Sequence, residues 1–185
     1  VEAKNIGPTI MSGRVVDLAV NPKNPTEFYV AYATGGLWHT NNNGTSFSPV
    51  MDSAETVNCG SVTVDWNSGT IWVGTGEVNA SRSTYAGVGV LKSSDKGKTW
   101  ENLGLKDSHH ISRIWVNPSN LNEIVVAAVG HLYTTNKERG IYKSTDGGKS
   151  WKQTLFVAED TGIIDLAVYK NNPQIMFAAS WQKDR

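Results

Sequence analysis

The stretch Ser144-Thr145-Asp146-Gly147-Gly148-Lys149-Ser150-Trp151 has two counterparts along the chain. Ser93-Ser94-Asp95-Lys96-Gly97-Lys98-Thr99-Trp100 matches it closely, and Thr40-Asn41-Asn42-Asn43-Gly44-Thr45-Ser46-Phe47 matches it loosely, so the copies begin 53 and 51 residues apart. A fixed period of this size decides the fold before any local reading, because each repeat is one supersecondary unit that buries its apolar face against its neighbours. Within a copy the residues spell a tight hairpin: the Asp accepts hydrogen bonds from nearby backbone N–H groups, the Gly supplies a permissive backbone angle, and the Trp covers the turn with apolar area. Ser93, Asp95, Gly97, Trp100, Ser144, Asp146, Gly148 and Trp151 therefore read as structural residues. In the first copy Asn42 and Phe47 replace Asp and Trp, which preserves the turn and argues against catalysis there.

Each hairpin closes a unit of similar build. An alternating apolar stretch, Val15-Val16-Asp17-Leu18-Ala19-Val20, runs into Asn21-Pro22, and Ile111–Val116 runs into Asn117-Pro118 in the same way. A second β-rich run follows at 27–33, 70–74, 123–129 and 174–179, and a third at 36–39, 88–92 and 140–143. Then come the hairpin and a short final run opening with Phe47, Trp100 or Trp151. Four short strands per unit of about 50 residues, separated by Gly, Asn and Pro turns, describe a propeller blade. No stretch keeps a 3.6-residue period, so no long helix is expected. The fold class is all-β: a β-propeller of four-stranded antiparallel blades, with blades at roughly 7–52, 53–108 and 109–160 and a half blade at 161–185. A ring closes with about four to eight blades and an open arc exposes sheet faces. The expectation is a longer protein, with the rest of the propeller beyond Arg185.

Composition narrows the function. With 17 Lys and Arg against 17 Asp and Glu in 185 residues, the zero net charge excludes an electrostatic nucleic-acid binder as the default reading. The 39% hydrophobic content and 7 Trp suffice for a packed core, and no apolar run approaches a membrane span. The single cysteine, Cys59, cannot form an internal disulfide, and no Cys/His spacing resembles a structural zinc site. Neither a metal nor a cofactor is expected. The chain opens at Val1 with no charged-then-apolar leader, which reads as a processed chain or a fragment.

The pattern Ser-x-Asp-x-Gly-x-Thr/Ser-Trp resembles the Asp-box, or BNR repeat, of sialidases, xyloglucan-cleaving propeller hydrolases and Vps10/sortilin-type propellers. Further segments, among them Gly74-Thr75-Gly76-Glu77, Gly104 to Ile111, Gly130-His131-Leu132, Glu138 to Gly148 and Ala178-Ala179-Ser180-Trp181-Gln182, are similar to secreted bacterial propellers with Vps10/sortilin-like BNR repeats, many of them classed as glycosyl hydrolases. That resemblance runs from Gly7 onward and implies a propeller exported from the cytoplasm, whether secreted, periplasmic or at the cell surface.

Strand parity separates two faces. In an antiparallel blade with strands A to D running outward, turns alternate between the faces. The acidic hairpins and the Asn-Pro turns share one face, built of short regular turns. The other receives the B–C loops 77–87 and 130–140 and the connections 107–110 and 159–161, where polar side chains and irregular lengths concentrate. Long loops on a rigid scaffold are where recognition usually resides. Candidate ligand-binding residues on this face are Arg14, Glu77, Asn79, Arg82, Tyr85, His109, His110, His131 and Arg139, and candidate catalytic residues are Glu77, Glu138 and His110. Each has a structural alternative. Glu77 is either a general acid in an apolar pocket or a loop anchor paired with Arg82. Of the adjacent His109 and His110, one ring is tucked under a loop and one solvated, unless His131 joins them around a metal. Glu138-Arg139 reads most simply as a loop-closing ion pair, and the Trp residues as packing between blades.

Three functions follow. The first is a recognition module that presents one face to a glycan or protein ligand. The second is a glycoside hydrolase, which needs two carboxylates about 5–10 Å apart. The third is a docking or assembly factor without catalysis. Sialidase activity is disfavoured by the lack of a Phe/Tyr-Arg-Ile-Pro sequence and of an evident arginine clamp. Xyloglucan cleavage is disfavoured because Gly35-Gly36 leads into Thr40-Asn41-Asn42 with no matching carboxylate.

Overall fold

The computed structural model describes residues 13–78 and 84–183. Within them the chain folds as consecutive antiparallel meanders. The first sheet holds β1 (Val15–Val20), β2 (Phe28–Tyr32), β3 (Gly36–Thr40) and β4 (Ser48–Pro49) in that order. The second holds β5 (Cys59–Asp65), β6 (Thr70–Thr75), β7 (Val90–Ser93) and β8 (Glu101–Asn102). The third holds β9 (Ile111–Val116), β10 (Ile124–Ala128), β11 (Gly140–Ser144) and β12 (Lys152–Leu155). A last pair, β13 (Thr161–Val168) and β14 (Met176–Gln182), forms a two-stranded sheet.

The core lies between sheets. Tyr29, Ala31 and Leu37 of the first sheet meet Val62, Ile71 and Val73 of the second. Trp72 and Val90 of the second meet Ile111, Ile124 and Val126 of the third, and Val125 and Ala127 of the third meet Ile163, Leu166 and Met176. This explains why β6 and β10 are buried at every position: a strand packed on both faces reads as a continuous apolar run without polar alternation. The outer strand β12, exposed throughout, reads Lys-Gln-Thr-Leu.

All three hairpins are built alike. Ser93 Oγ donates to Asp95 Oδ1 at 2.8 Å and accepts from Gly97 N at 2.8 Å, while Asp95 accepts from Thr99 N at 2.9 Å and Thr99 Oγ1 at 2.6 Å. Ser144, Asp146, Gly148 and Ser150 repeat the set. Thr40 and Asn42 reproduce it with neutral groups, Gly44 N donating to Thr40 Oγ1 at 3.0 Å and Ser46 N to Asn42 Oδ1 at 3.0 Å. Two successive left-handed residues make each turn, Lys96 (φ 62) with Gly97 (φ 89) and Gly147 (φ 78) with Gly148 (φ 94). The indole completes the unit across the gap between sheets: Trp100 Nε1 donates to Val50 O at 3.0 Å, and Trp151 Nε1 to Leu103 O at 2.7 Å. A methyl on Gly97 would come within 2.6 Å of Val50 Cβ, and one on Gly148 within 2.6 Å of Leu103 Cδ1. The hairpins thus fasten each sheet to the one before it.

The hydrogen bonds from Thr99 and Ser93 hold the Asp95 carboxyl down at about 2, and the equivalent bonds lower Asp146 further. A carboxyl depressed in the folded state adds stability above its unfolded value near 3.9, and that contribution is lost as pH falls toward the folded value. Asp95→Asn is expected to lower the melting temperature at pH 6, with the two melting curves converging as the pH approaches 2. A constant gap down to pH 2 would show that the charge plays no part.

Candidate functional site

The inner strands determine what faces the axis. Each carries one bulge at the same register: Val16 in β1, Gly60 in β5, Ser112 in β9 and Ile164 in β13 stand outside the ladder to the neighbouring strand. An extra residue re-aims the strand locally, and the four bulge residues converge with Val78, Arg113 and Asp165 on one cavity of about 290 Å³. Gly60 is required there, because a methyl would run into the backbone carbonyls of Ile111 and Gly76. Beside the cavity Arg113 bridges two sheets: Nε lies 2.7 Å from Asp165 Oδ1 and Nη1 lies 3.4 Å from Asp17 Oδ2, which also accepts from Val62 N at 3.0 Å. Arg113 holds the Asp165 carboxyl below its ordinary value.

The loops opposite the hairpins interlock above the inner strands. The residue two before each of the first three bulges accepts from the far end of its paired strand or loop: Arg14 O from Ala33 N, Asn58 O from Gly76 N and His110 O from Val129 N, each at 2.9 Å. Glu77 N donates to Tyr85 O at 3.0 Å and closes the base of the loop that contains Asn79 and Arg82, two candidates that lie outside the described residues. Glu77 is fully enclosed, and its carboxylate pairs with Arg14, which keeps 47% of its side chain exposed. Among the described residues Glu77 is the one buried acid.

A second cluster joins the connection 105–110 to the loop 130–139. His109, at φ 56, stacks on His131 with ring centroids 3.8 Å apart, and the His131 Nε2 sits 2.7 Å from Asp107 O. Burial, reinforced by His131, lowers the His109 imidazole below its ordinary range. His110 is the tucked member of the pair. It is 2% exposed, its Nδ1 has no hydrogen-bond partner, and burial beside His109, Lys183, His131 and Arg139 depresses it to about 3. Arg139, read from sequence as a ligand contact, is wholly buried; it donates to the carbonyls of Asp160, His131 and Thr134 and so clasps two loops. Glu138 is half-buried near His109 and Tyr142. Tyr85, with Tyr133, is exposed at 54% and presents an aromatic edge to solvent.

No group of three or more His, Cys, Asp or Glu among the described residues is placed to hold a metal. Cys59 is buried and burial pushes its thiol up to about 12, which leaves it unreactive. Trp38 is buried with Nε1 donating to Gly35 O, and Trp181 lies under Lys183 at 4.3 Å. Sequence reasoning missed the four bulges and the Asp17–Arg113–Asp165 bridge, which become visible only when the inner strands are superposed.

No protein-family model matches the chain. Over 86 residues it is 37% identical to the vacuolar protein sorting/targeting protein 10 of Kluyveromyces lactis, a match covering 46% of this chain and 5% of that protein. Among solved structures, an ancestral GH74 enzyme superposes with a TM-score of 0.69 at 20% identity over 90% of this chain and 22% of its own. The GH74 xyloglucanase of Xanthomonas campestris gives 0.64 at 16% identity, over 93% of this chain and 27% of its own. YCF48 from Cyanidioschyzon merolae gives 0.51 at 18% identity, over 78% of this chain and 38% of its own. Successive antiparallel meanders, together with the overall likeness to these structures, make the chain an arc of a β-propeller. It spans about a twentieth of the sorting protein and about a quarter of the GH74 enzymes.

Proposed function

We propose that this chain belongs to an exported β-propeller that recognises a protein or glycan ligand through the face opposite the acidic hairpins, without cleaving it. The ion pair between buried Glu77 and Arg14 supports a non-catalytic reading. A general acid must present its carboxyl to the leaving group, and here the carboxylate is enclosed and turned to a guanidinium. The same pair leaves Arg14 half exposed, and the loops of that face also hold Tyr85 and Tyr133 exposed as aromatic contacts. YCF48, which shares the fold, has been solved bound to D1 peptide, and the likeness to a sorting/targeting protein agrees with a place outside the cytoplasm. Further blades of the same protein complete the ring in this reading, and the blade boundaries follow the sheets described above.

Presenting the protein to arrays of glycans and of unstructured peptides is expected to yield binding with no cleavage products. Tyr85→Ala and Tyr133→Ala should each weaken that binding about tenfold, the effect of losing an aromatic contact, without changing the melting temperature. Release of reducing ends that Glu77→Gln abolishes would overturn the proposal in favour of a hydrolase.

A further inference from the structure

A cavity of about 380 Å³, within the range of small-ligand sites, lies between the third and fourth blades where β9 and β13 run into their turns. Its walls come from those two strands and the turns after them. Trp115, Pro118, Leu166 and Tyr169 supply apolar surface, Arg113 and Lys170 supply positive charge, and no acidic side chain lines it.

The register of the inner strands shows how far this junction departs from the others. Trp115 stands where Ala19, Thr63 and Ala167 stand in the other blades. Its indole N–H makes no hydrogen bond among the described residues, unlike those of Trp38, Trp100 and Trp151. Beyond the strands, one backbone bond closes equivalent turns: Asn21 N to Glu27 O, Asn117 N to Glu123 O and Tyr169 N to Ile175 O. In the first and third blades side chains brace the turn as well, with Asn21 Nδ2 2.8 Å from Glu27 Oε2 and Asn117 Nδ2 2.7 Å from Glu123 Oε2. The fourth blade has Tyr169 and Ile175 in those places, and Lys170 in the place of Pro22 and Pro118. Tyr169 and Ile175 stay 47% and 45% exposed, so burial does not account for the exchange. The blade thus lacks its polar brace, and the adjacent aromatic and cation that replace Asn-Pro both line the same cavity as Trp115.

We propose that this cavity binds a small flat organic anion of the arene carboxylate class, its ring against Trp115 and Tyr169 and its charge met by Lys170. Arg113 is already engaged by Asp165 and Asp17, which leaves the exposed Lys170 as the cation a ligand meets. The enclosed volume suits one compact molecule better than a run of polymer. The site lies at the Asn-Pro turns, on the hairpin face, so its failure would leave the reading of the opposite face intact.

The test is a titration of the isotope-labelled protein with naphthoate, read by nuclear magnetic resonance at the Trp115 indole N–H, a signal that Trp115→Phe identifies. The expected result is a saturable shift of that signal. Tyr169→Asn, which restores the residue of the first and third blades, should weaken binding about fivefold, the loss of one aromatic contact, without lowering the melting temperature. Lys170→Glu should weaken naphthoate about threefold and leave neutral naphthylmethanol unaffected. No shift at millimolar naphthoate would overturn the proposal, and so would unchanged affinity in either variant. Tighter binding of an acidic oligosaccharide or an acidic peptide than of naphthoate, read at the same signal, would overturn it in favour of a polymer ligand.

Discussion

Gly76→Ala is expected to destabilise the protein by about 3 kcal/mol or more, among the largest effects a single methyl can have. Two causes add. Gly76 has φ 89, a region that L-residues enter only at a cost, and the new methyl would run into the His109 carbonyl while lying 2.9 Å from Gly87 N. Both neighbours are backbone, and both are tied to each other, since Gly87 N donates to His109 O at 2.7 Å. Neither can swing aside. Gly69→Ala is the matched control: φ is 74, but the nearest atom is the flexible Lys96 side chain, 3.0 Å away, so only the backbone cost of about 1 kcal/mol applies. Urea unfolding of the two variants measures the difference. Equal losses would mean that the close approach of the connection 105–110 to the second blade contributes nothing.

Acidification is expected to weaken the fold through His110 well before the carboxylates respond. Its folded value of about 3 lies far below the unfolded value near 6.5, with burial the main cause and the cationic neighbours His109, Lys183, His131 and Arg139 adding to it. Between those values the unfolded chain binds a proton that the folded chain refuses, so stability is fully present above about pH 6.5 and falls as the pH drops toward 3. The slope is on the order of 1 kcal/mol per pH unit. His109 is lowered as well and acts in the same direction. His110→Gln should flatten the profile between pH 6 and pH 4 by roughly that slope. Parallel profiles for the two proteins would assign the acid sensitivity elsewhere.

What the sequence discloses and what it conceals divide along a physical line. The hairpins are legible because their hydrogen bonds are local: Ser93, Asp95, Gly97 and Thr99 satisfy one another within seven residues, and the spelling survives in Thr40 and Asn42. The buried middle strands are legible as apolar runs such as Ile124-Val125-Val126-Ala127-Ala128. Partner choice is not. Glu77 pairs with Arg14 in another blade, and composition alone could not rank that residue above Arg82. Arg139 reads as a surface cation until the fold wraps two loops around it, so that carbonyls receive its guanidinium. The bulges leave no compositional trace at all, since Val16, Gly60, Ser112 and Ile164 share neither size nor polarity.

Those bulges also set how the protein tolerates changes in length. A strand presents alternate residues to opposite sides, and one supernumerary residue inverts that phase for everything upstream of it. Deleting Val16 or Ser112 would restore a regular ladder and rotate Arg14 or His110 to the wrong side of its sheet, uncoupling the loops from the axis. Single-residue indels are therefore admissible in the connections around the rim but not in the four inner strands.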